Sequence, residues 1–436
     1  MRTPKRFLVA GAVRALLTAN ALKPASPDNP LALPSFFASW LTGELAPHHL
    51  VWQSASLVRS VRQGATATAK GKLALALSVA SLAGLAELVR RSAGVAGVVE
   101  EALAKGLGAD YRDRIAPELA AKLDPALPWK QLLAPLPMRH AEVDRVRNIS
   151  YGEAGWRNTL DVYSNRARPS GAPVLVQVHG GGWVIGSKDD QGKPLMLHLA
   201  SKGWVCVAVN YRLSPRATFP DHLLDLKRAL AWVREHVADF GGDPDFITVT
   251  GGSAGGHLSS LLALTANDPA YQPGFEDVDT SVAACVPLFG VYDFTNRHGI
   301  RRTDGMGKFL ERAVMKKSLR NHPEAYAEAS PIDRVNPSAP PTLVIHGALD
   351  SLVPVEEARR FAALLAETTT EPVVYAELPG TQHAFEVFPS IRTVHVINGI
   401  ERFLLYVWAR HLEAEGDPDA VPEVGEQAEV LQEAPA

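Results

Sequence analysis

Short apolar runs recur through the second half of the chain and alternate with stretches at helical spacing. Most of these runs are continuously apolar, as strands buried on both faces must be. The helical pattern is clearest over residues 221–240 and 355–366. The candidate strands are Thr159–Tyr163, Val174–His179, Trp204–Asn210, Ile247–Thr250, Ala283–Leu288, Thr342–His346 and Val373–Leu378.

The alternation predicts an α/β domain over residues 139–411, with a mostly parallel sheet and helices on both of its faces. The carboxyl ends of parallel strands meet at one edge of such a sheet, and binding and catalytic groups gather there. Functional residues are therefore expected in the loops that follow the strands.

Residues 1–138 are rich in Ala and Leu and are expected to be helical, with several breaks at prolines. A linker, PALPWKQLLAPLP, starts at Pro125. The apolar stretch from Leu73 to Val89 suits either a helix packed on the catalytic domain or a helix associated with a membrane. This region is therefore expected to act as a cap, a membrane contact or both, which leaves a cytoplasmic or a membrane-associated location open.

Composition narrows the function classes. The 436 residues are 46% hydrophobic and 21% charged, with a net charge of −3, so no basic field favours a nucleic-acid partner. Cys206 and Cys285 lie in apolar runs and are expected to be buried and reduced, and no zinc-binding spacing is present. Residues 412–436 are acidic without Lys or Arg and are expected to be disordered. The oligomeric state stays open.

The segment FITVT-GGSAGG carries the candidate nucleophile, Ser253, between a strand and a helix. A sharp strand-to-helix turn lifts a serine hydroxyl clear of the sheet, and Gly251 and Gly255 avoid the crowding around it. The alternative is a glycine-rich turn capped by serine. The flanking strand and helix favour the catalytic interpretation.

A second glycine run, HGGGW, follows the strand PVLVQV. Backbone N–H groups held near a reacting carbonyl stabilise the negative oxygen of a tetrahedral intermediate, and glycines permit the close approach. The expected donors are the amides of Gly181, Gly182 and Ala254. His179 is expected to anchor this loop rather than to react.

A serine nucleophile needs a base, and the base needs an acid that orients it. The chain order Ser, Asp, His is that of α/β hydrolases, and it predicts Asp350 as the acid and His383 as the base. Both lie in loops after strands. Glu356 and Glu357 compete with Asp350, but they fit the first turn of a helix.

The ordered motifs HGGGW, NYRLSP, GGSAGG, HGALDSLVP and GTQHAF resemble the hormone-sensitive-lipase-like branch of the α/β hydrolases, including bacterial carboxylesterases. The resemblance covers about residues 145–410 and implies an eight-stranded, mostly parallel sheet, a Ser253–Asp350–His383 triad, no cofactor, and a cap over the site. Relatives often carry GDSAGG, where this chain has Gly252. The N-terminal region is similar to the leaders of mycobacterial-type lipase/esterase proteins.

Residues 292–331 are expected to form a cap insertion, either a mobile apolar lid or a packed helical segment. The tentative pocket residues are Trp183, Tyr292 and Phe309.

The sequence thus predicts a carboxylic ester hydrolase acting through an acyl-enzyme on a small-molecule or lipid ester. The alternatives are a lipase for long-chain membrane lipids, a formamidase or amidase with the same triad, and a non-catalytic receptor on a hydrolase scaffold.

Overall fold

An eight-stranded sheet forms the centre of the computed structural model, which describes residues 4–123, 126–136, 138–168 and 170–416. The strand order is β1-β2-β4-β3-β5-β6-β7-β8. The strands are β1 (Val143–Ser150), β2 (Thr159–Asn165), β3 (Ala172–Val178), β4 (Val205–Val209), β5 (Gly242–Gly252), β6 (Ala284–Leu288), β7 (Thr342–Gly347) and β8 (Val373–Leu378).

Six neighbouring strands, from β4 to β8 in this order, pair in parallel, whereas β2 is antiparallel to both of its neighbours. Every residue of β3, β4, β6 and β7 is buried, which explains their continuously apolar sequences. The seven predicted strands are all present. The strand that sequence reasoning missed is β1, an edge strand whose charged residues face solvent and hide its apolar positions.

Helices cover both faces of the sheet. The helices are α1 (Pro4–Leu22), α2 (Ala32–Glu44), α3 (Ala46–Arg62), α4 (Ala69–Leu107), α5 (Pro117–Ala120), α6 (Trp129–Leu133), α7 (Lys193–Ser201), α8 (Asp221–His236), α9 (Ala254–Leu264), α10 (Gly305–Phe309), α11 (Pro323–Glu328), α12 (Val355–Thr368) and α13 (Ile391–Glu415).

The second half of α4 packs directly on the catalytic domain. Val95, Val99 and Leu103 are fully buried in the same apolar cluster as α13 and β8. A Cβ on Gly399 of α13 would lie 2.1 Å from Val99, so the two helices are in close contact. The N-terminal region is therefore part of the core as well as a cover.

Two segment boundaries differ from the sequence-based expectations. The expected linker contains a short helix, α6, and α13 continues to Glu415, so residues 412–415 are helical. A segment with i→i+5 bonding, Leu310–Met315, follows α10 and contributes Leu310, Val314 and Met315 to the main core. This part of the 292–331 insertion is therefore packed. The acidic tail from 417 onwards lies outside the described residues.

Candidate active site

Ser253 occupies the turn between β5 and α9 with a φ of 58°, a backbone conformation that residues other than glycine rarely adopt. Its amide donates to the carbonyl of Leu288 at 2.9 Å, which ties the turn to β6. A Cβ on Gly251 would lie 2.6 Å from the carbonyl carbon of Gly255, and one on Gly255 would lie 2.2 Å from the oxygen of Val178. The turn therefore requires glycine on both sides of the serine.

Asp350 and His383 meet in a buried hydrogen bond of 2.6 Å between Oδ2 of Asp350 and Nδ1 of His383. The other carboxylate oxygen accepts from the amides of Leu352 and Val353, at 2.7 and 2.9 Å. Burial opposes ionisation, but the electrostatic interaction with His383 and the hydrogen bonds from both imidazoles hold the pKa of Asp350 well below its usual value. The aspartate is thus an anion in place to orient the imidazole.

His346 also approaches Asp350, with its Nε2 3.2 Å from Oδ2 and 3.2 Å from the carbonyl oxygen of Val353. The sequence placed His346 at the end of a strand, where it is, but did not predict the contact with the acid. Asp350 therefore lies between two imidazole rings, one at the end of β7 and the other in the loop that follows β8.

The side chain of Gln382 joins the acid loop, the base loop and α2. Its Oε1 accepts from the amides of Ser351 and His383 at 2.7 and 2.8 Å. Its Nε2 donates to the hydroxyls of Ser351 and Ser39, both at 2.8 Å. The sequence did not predict a role for Gln382. The only indication was its position directly before the predicted base.

Two phenylalanines flank the imidazole of His383. The ring of Phe289 lies 4.5 Å from it, and the ring of Phe36 on α2 lies 5.9 Å from it, edge-on. Phe289 also lies within 2.8 Å of the point where a Cβ on Gly252 would be. The nucleophile turn and the base loop therefore pack on one shared ring, and α2 covers the base.

The loop Gly180–Gly182 follows β3 at the same edge of the sheet. Gly181 and Gly182 have φ values of 107° and 57°, and a Cβ on Gly181 would lie 2.2 Å from the carbonyl oxygen of Ile185. Among the described residues, the amides of these two glycines have no hydrogen-bond acceptor. The amide of Ala254 begins α9, where helical amides lack an internal partner. Three N–H donors are thus available.

His179 holds the base of this loop. Its ring stacks on Tyr211 at 4.4 Å, and its Nδ1 lies 2.7 Å from the oxygen of Gly180. Burial lowers the pKa of His179 to about 4, so the ring is neutral. This position agrees with an anchoring role.

The three tentative pocket residues have different positions. Phe309 lies 3.7 Å from the point where a Cβ on Gly182 would be, so it flanks the glycine loop. Trp183 is buried beneath that loop, where its indole N–H donates to Nδ1 of His257 at 3.2 Å. Tyr292 is fully buried and stacks on Phe361 at 4.3 Å. The structure does not bring Tyr292 to the site, because its ring belongs to a separate apolar cluster with Phe361.

Glu386 fills the space beside Gly252. A Cβ on that glycine would lie 3.0 Å from Oε1 of Glu386 and would also meet Phe289. Neither carboxyl oxygen of Glu386 has a hydrogen-bond partner among the described residues, and burial raises its pKa to about 7. Phe289 and Glu386 therefore occupy the space that a side chain at position 252 would need.

A mostly parallel sheet with a serine on the strained turn after its fifth strand defines the α/β-hydrolase fold. The family model BD-FAE matches residues 160–365. A probable carboxylic ester hydrolase of Mycobacterium tuberculosis, LipM, is 43% identical over 94% of this chain and 95% of its own. Esterase LipQ of the same organism is 43% identical over 73% of this chain and 76% of its own.

The chain belongs to this family of carboxylic ester hydrolases, and ester hydrolysis is its reaction class. Esterase B from Lactobacillus rhamnosis has the same fold, with a TM-score of 0.53 and 19% identity over 71% of this chain and 99% of that one.

Proposed function

We propose that the chain hydrolyses small and medium acyl esters through an acyl-enzyme, with Ser253 as nucleophile, His383 as base and Asp350 as the orienting acid. The observation that carries the proposal is the buried 2.6 Å bond between Asp350 and His383, formed at the sheet edge that carries the strained serine. A base oriented in this way beside a raised hydroxyl is the arrangement that acyl transfer requires.

In the first step the Ser253 oxygen attacks the ester carbonyl carbon, and its proton passes to Nε2 of His383. The amides of Gly181, Gly182 and Ala254 receive the negative oxygen of the tetrahedral intermediate. Cleavage of the ester bond releases the alcohol, which takes the proton from His383. Water then attacks the acyl-enzyme by the same route, which frees the acid and restores the serine.

The walls around the glycine loop support a confined acyl pocket. Phe309 flanks Gly182, and Phe36 and Phe289 flank the imidazole of His383. Since α2 covers the base, we expect esters with short acyl chains to be the better substrates. A longer chain requires α2 or the segment around Phe309 to move.

A second candidate is hydrolysis of long-chain lipid esters. It is favoured by the outer face of α2, where Leu33, Phe37 and Leu41 are exposed next to the buried Phe36. Exposed apolar residues that adjoin a covered site suit a substrate delivered from a lipid surface.

The test is hydrolysis of p-nitrophenyl esters of increasing acyl length by the wild type, Ser253→Ala and Ser260→Ala. Ser260 is a buried serine of α9 whose hydroxyl bonds to the helix backbone, so it serves as a matched control. The expected result is fastest turnover of short esters, none with Ser253→Ala and nearly full turnover with Ser260→Ala. Turnover by purified Ser253→Ala contradicts the mechanism, and a preference for long chains selects the lipid substrate. Activity on amides alone selects an amidase.

A further inference from the structure

Three N-terminal helices form a unit that projects from the catalytic domain, and we call it the stalk: α1, α3 and residues 69–88 of α4. Phe7 shares a small apolar cluster with Ala74, and Ala21 shares another with Leu85, so α1 and α4 run in the same direction. Gln53 of α3 hydrogen-bonds to Ser81, midway along the unit.

The outer surface of the stalk is apolar. Leu16 and Val51 are 70% and 72% exposed. Between residues 7 and 22 of α1, 46 and 58 of α3, and 73 and 86 of α4, every exposed residue is apolar except Ser54. These exposed residues are Val9, Ala12, Val13, Leu16, Leu17, Ala19, Val51, Trp52, Ala55, Val58, Leu73, Ala76, Val79, Ala80, Ala83 and Ala86.

The interior of the stalk holds polar groups that satisfy one another. The hydroxyls of Thr18 and Ser81 are 2.9 Å apart, and Ser81 also donates to Gln53 at 3.0 Å. Arg14 is buried, donates to Ser56 at 3.1 Å and lies over the ring of Trp52. A helix unit in water has the opposite arrangement, whereas helices in lipid place polar and small residues between them.

Small residues also set the helix spacing. A Cβ on Gly11 would lie 3.0 Å from the carbonyl oxygen of Ala74, and one on Gly84 would lie 2.6 Å from the side chain of Thr18. Such close backbone approach stabilises helix pairs in bilayers, where no hydrophobic effect drives their association.

The free end of the stalk is basic. The exposed cations there are Lys5, Arg6, Arg59, Arg62, Lys70 and Lys72, and none of them forms an ion pair with a described residue. The first 86 residues contain nine Lys and Arg but only two Asp and Glu, although the whole chain has a net charge of −3. Those two acids, Asp28 and Glu44, bond to the catalytic domain at the opposite end.

We propose that the stalk is inserted across an anionic phospholipid bilayer, with its basic end at the far surface and the catalytic domain at the near one. The uncharged stretch 73–86 of α4 spans about 21 Å at 1.5 Å per residue. A hydrocarbon layer is about 30 Å thick, and lysines and arginines that extend to the headgroups, with local thinning, cover the difference. This inference does not depend on the proposed catalytic roles.

In this orientation α2 lies where the stalk meets the catalytic domain. Leu33, Phe37 and Leu41 recur every four residues, so they form one exposed stripe on α2. Phe36, which neighbours this stripe on the buried side of α2, packs against His383. The bilayer surface would therefore lie against the helix that covers the active site.

The first test expresses the full chain in bacteria and washes the membranes with alkaline carbonate. The wild type and the control Val146→Glu, an exposed apolar position on edge strand β1, are expected to stay in the membrane. Leu16→Glu/Val79→Glu is expected to be released at least about tenfold more, because two charges then face hydrocarbon. Hydrolysis of a soluble ester checks that each variant is folded. Complete release of the wild type overturns the proposal.

The second test uses single cysteines and a maleimide that does not cross membranes. Cys206 and Cys285 are buried, so they give little background. Gln63→Cys marks the basic end, and Ser338→Cys marks the exposed surface of the catalytic domain. In sealed vesicles their labelled fractions should be complementary, and detergent should make both complete. Complete labelling of both cysteines without detergent overturns the insertion. A water-soluble wild-type oligomer that the Leu16→Glu/Val79→Glu substitutions dissociate also overturns it, because copies of the chain then cover the stalk.

Discussion

Replacing Asp350 by asparagine tests the catalytic geometry at its centre, because the change removes a charge but almost no volume. Oδ1 is held by the amides of Leu352 and Val353. The new amide nitrogen must therefore take the position of Oδ2, where it points an N–H at His383. The imidazole can accept that hydrogen bond only at Nδ1, which moves its own proton to Nε2, the atom that has to receive the proton of the serine.

The expected loss follows from this change of tautomer. An aspartate-to-asparagine change of this kind lowers kcat by about 10⁴ in a serine protease triad. At 1.36 kcal/mol per tenfold, that is about 5 kcal/mol of the activation barrier. KM should change little, because the carboxylate contacts the imidazole and two amides rather than the ester.

The assay is kcat and KM on a short p-nitrophenyl ester, with near-ultraviolet circular dichroism to verify the fold. Asp243→Asn is the control, since Asp243 is the second residue of β5, at the end of the strand opposite Ser253. A folded Asp350→Asn variant with less than about a tenfold loss of kcat would refute the assignment of the orienting acid, and His346 would then have to be examined as part of the base.

Three further predictions concern the frame of the site. Glu44→Gln should destabilise the protein by about 3–5 kcal/mol, because it leaves the buried guanidinium of Arg392 without its carboxylate. In urea titrations, the double variant Glu44→Gln/Arg392→Met should recover much of that lost stability. Gly255→Ala should abolish activity, because its Cβ would lie 2.2 Å from the oxygen of Val178; a fully active variant would contradict the rigid turn. The pKa of Glu386 is raised to about 7, so the folded protein keeps a proton that the unfolded chain loses above pH 4.5, and the stability of the protein should fall as pH rises from 4.5 to 7. Glu386→Gln should remove up to about 3 kcal/mol of that fall, measured by thermal unfolding at several pH values. An equal dependence of stability on pH in both proteins would count against this prediction.

The parallel strands and their order along the chain could be predicted because strands buried on both faces have a continuous apolar pattern that few other elements share. The positions of Ser253, Asp350 and His383 after such strands could be predicted for the same reason. Edge strand β1 could not, because only one of its faces needs apolar residues.

Contacts between segments that lie far apart along the chain could not be predicted from the sequence. Gln382 donates a hydrogen bond to Ser39, 343 positions away, and no local sequence pattern predicts such a bond. The sequence predicts Tyr292 in the pocket as the first residue of the cap insertion, but its ring packs on Phe361 of α12. The candidate acid and base could be found because chain order is a property of the fold, whereas pocket walls are set by tertiary packing.

The hydrogen bonds and the ion pair between α2 and the catalytic domain determine how this protein unfolds. Gln382 and Arg392 connect residues near 40 to residues near 390, so neither end of the chain keeps its buried partners when the other leaves. Heat should therefore remove α2 and the base loop in one cooperative transition, and loss of catalysis should coincide with loss of the cover. For this enzyme the folding unit extends across the boundary that composition places at residue 138.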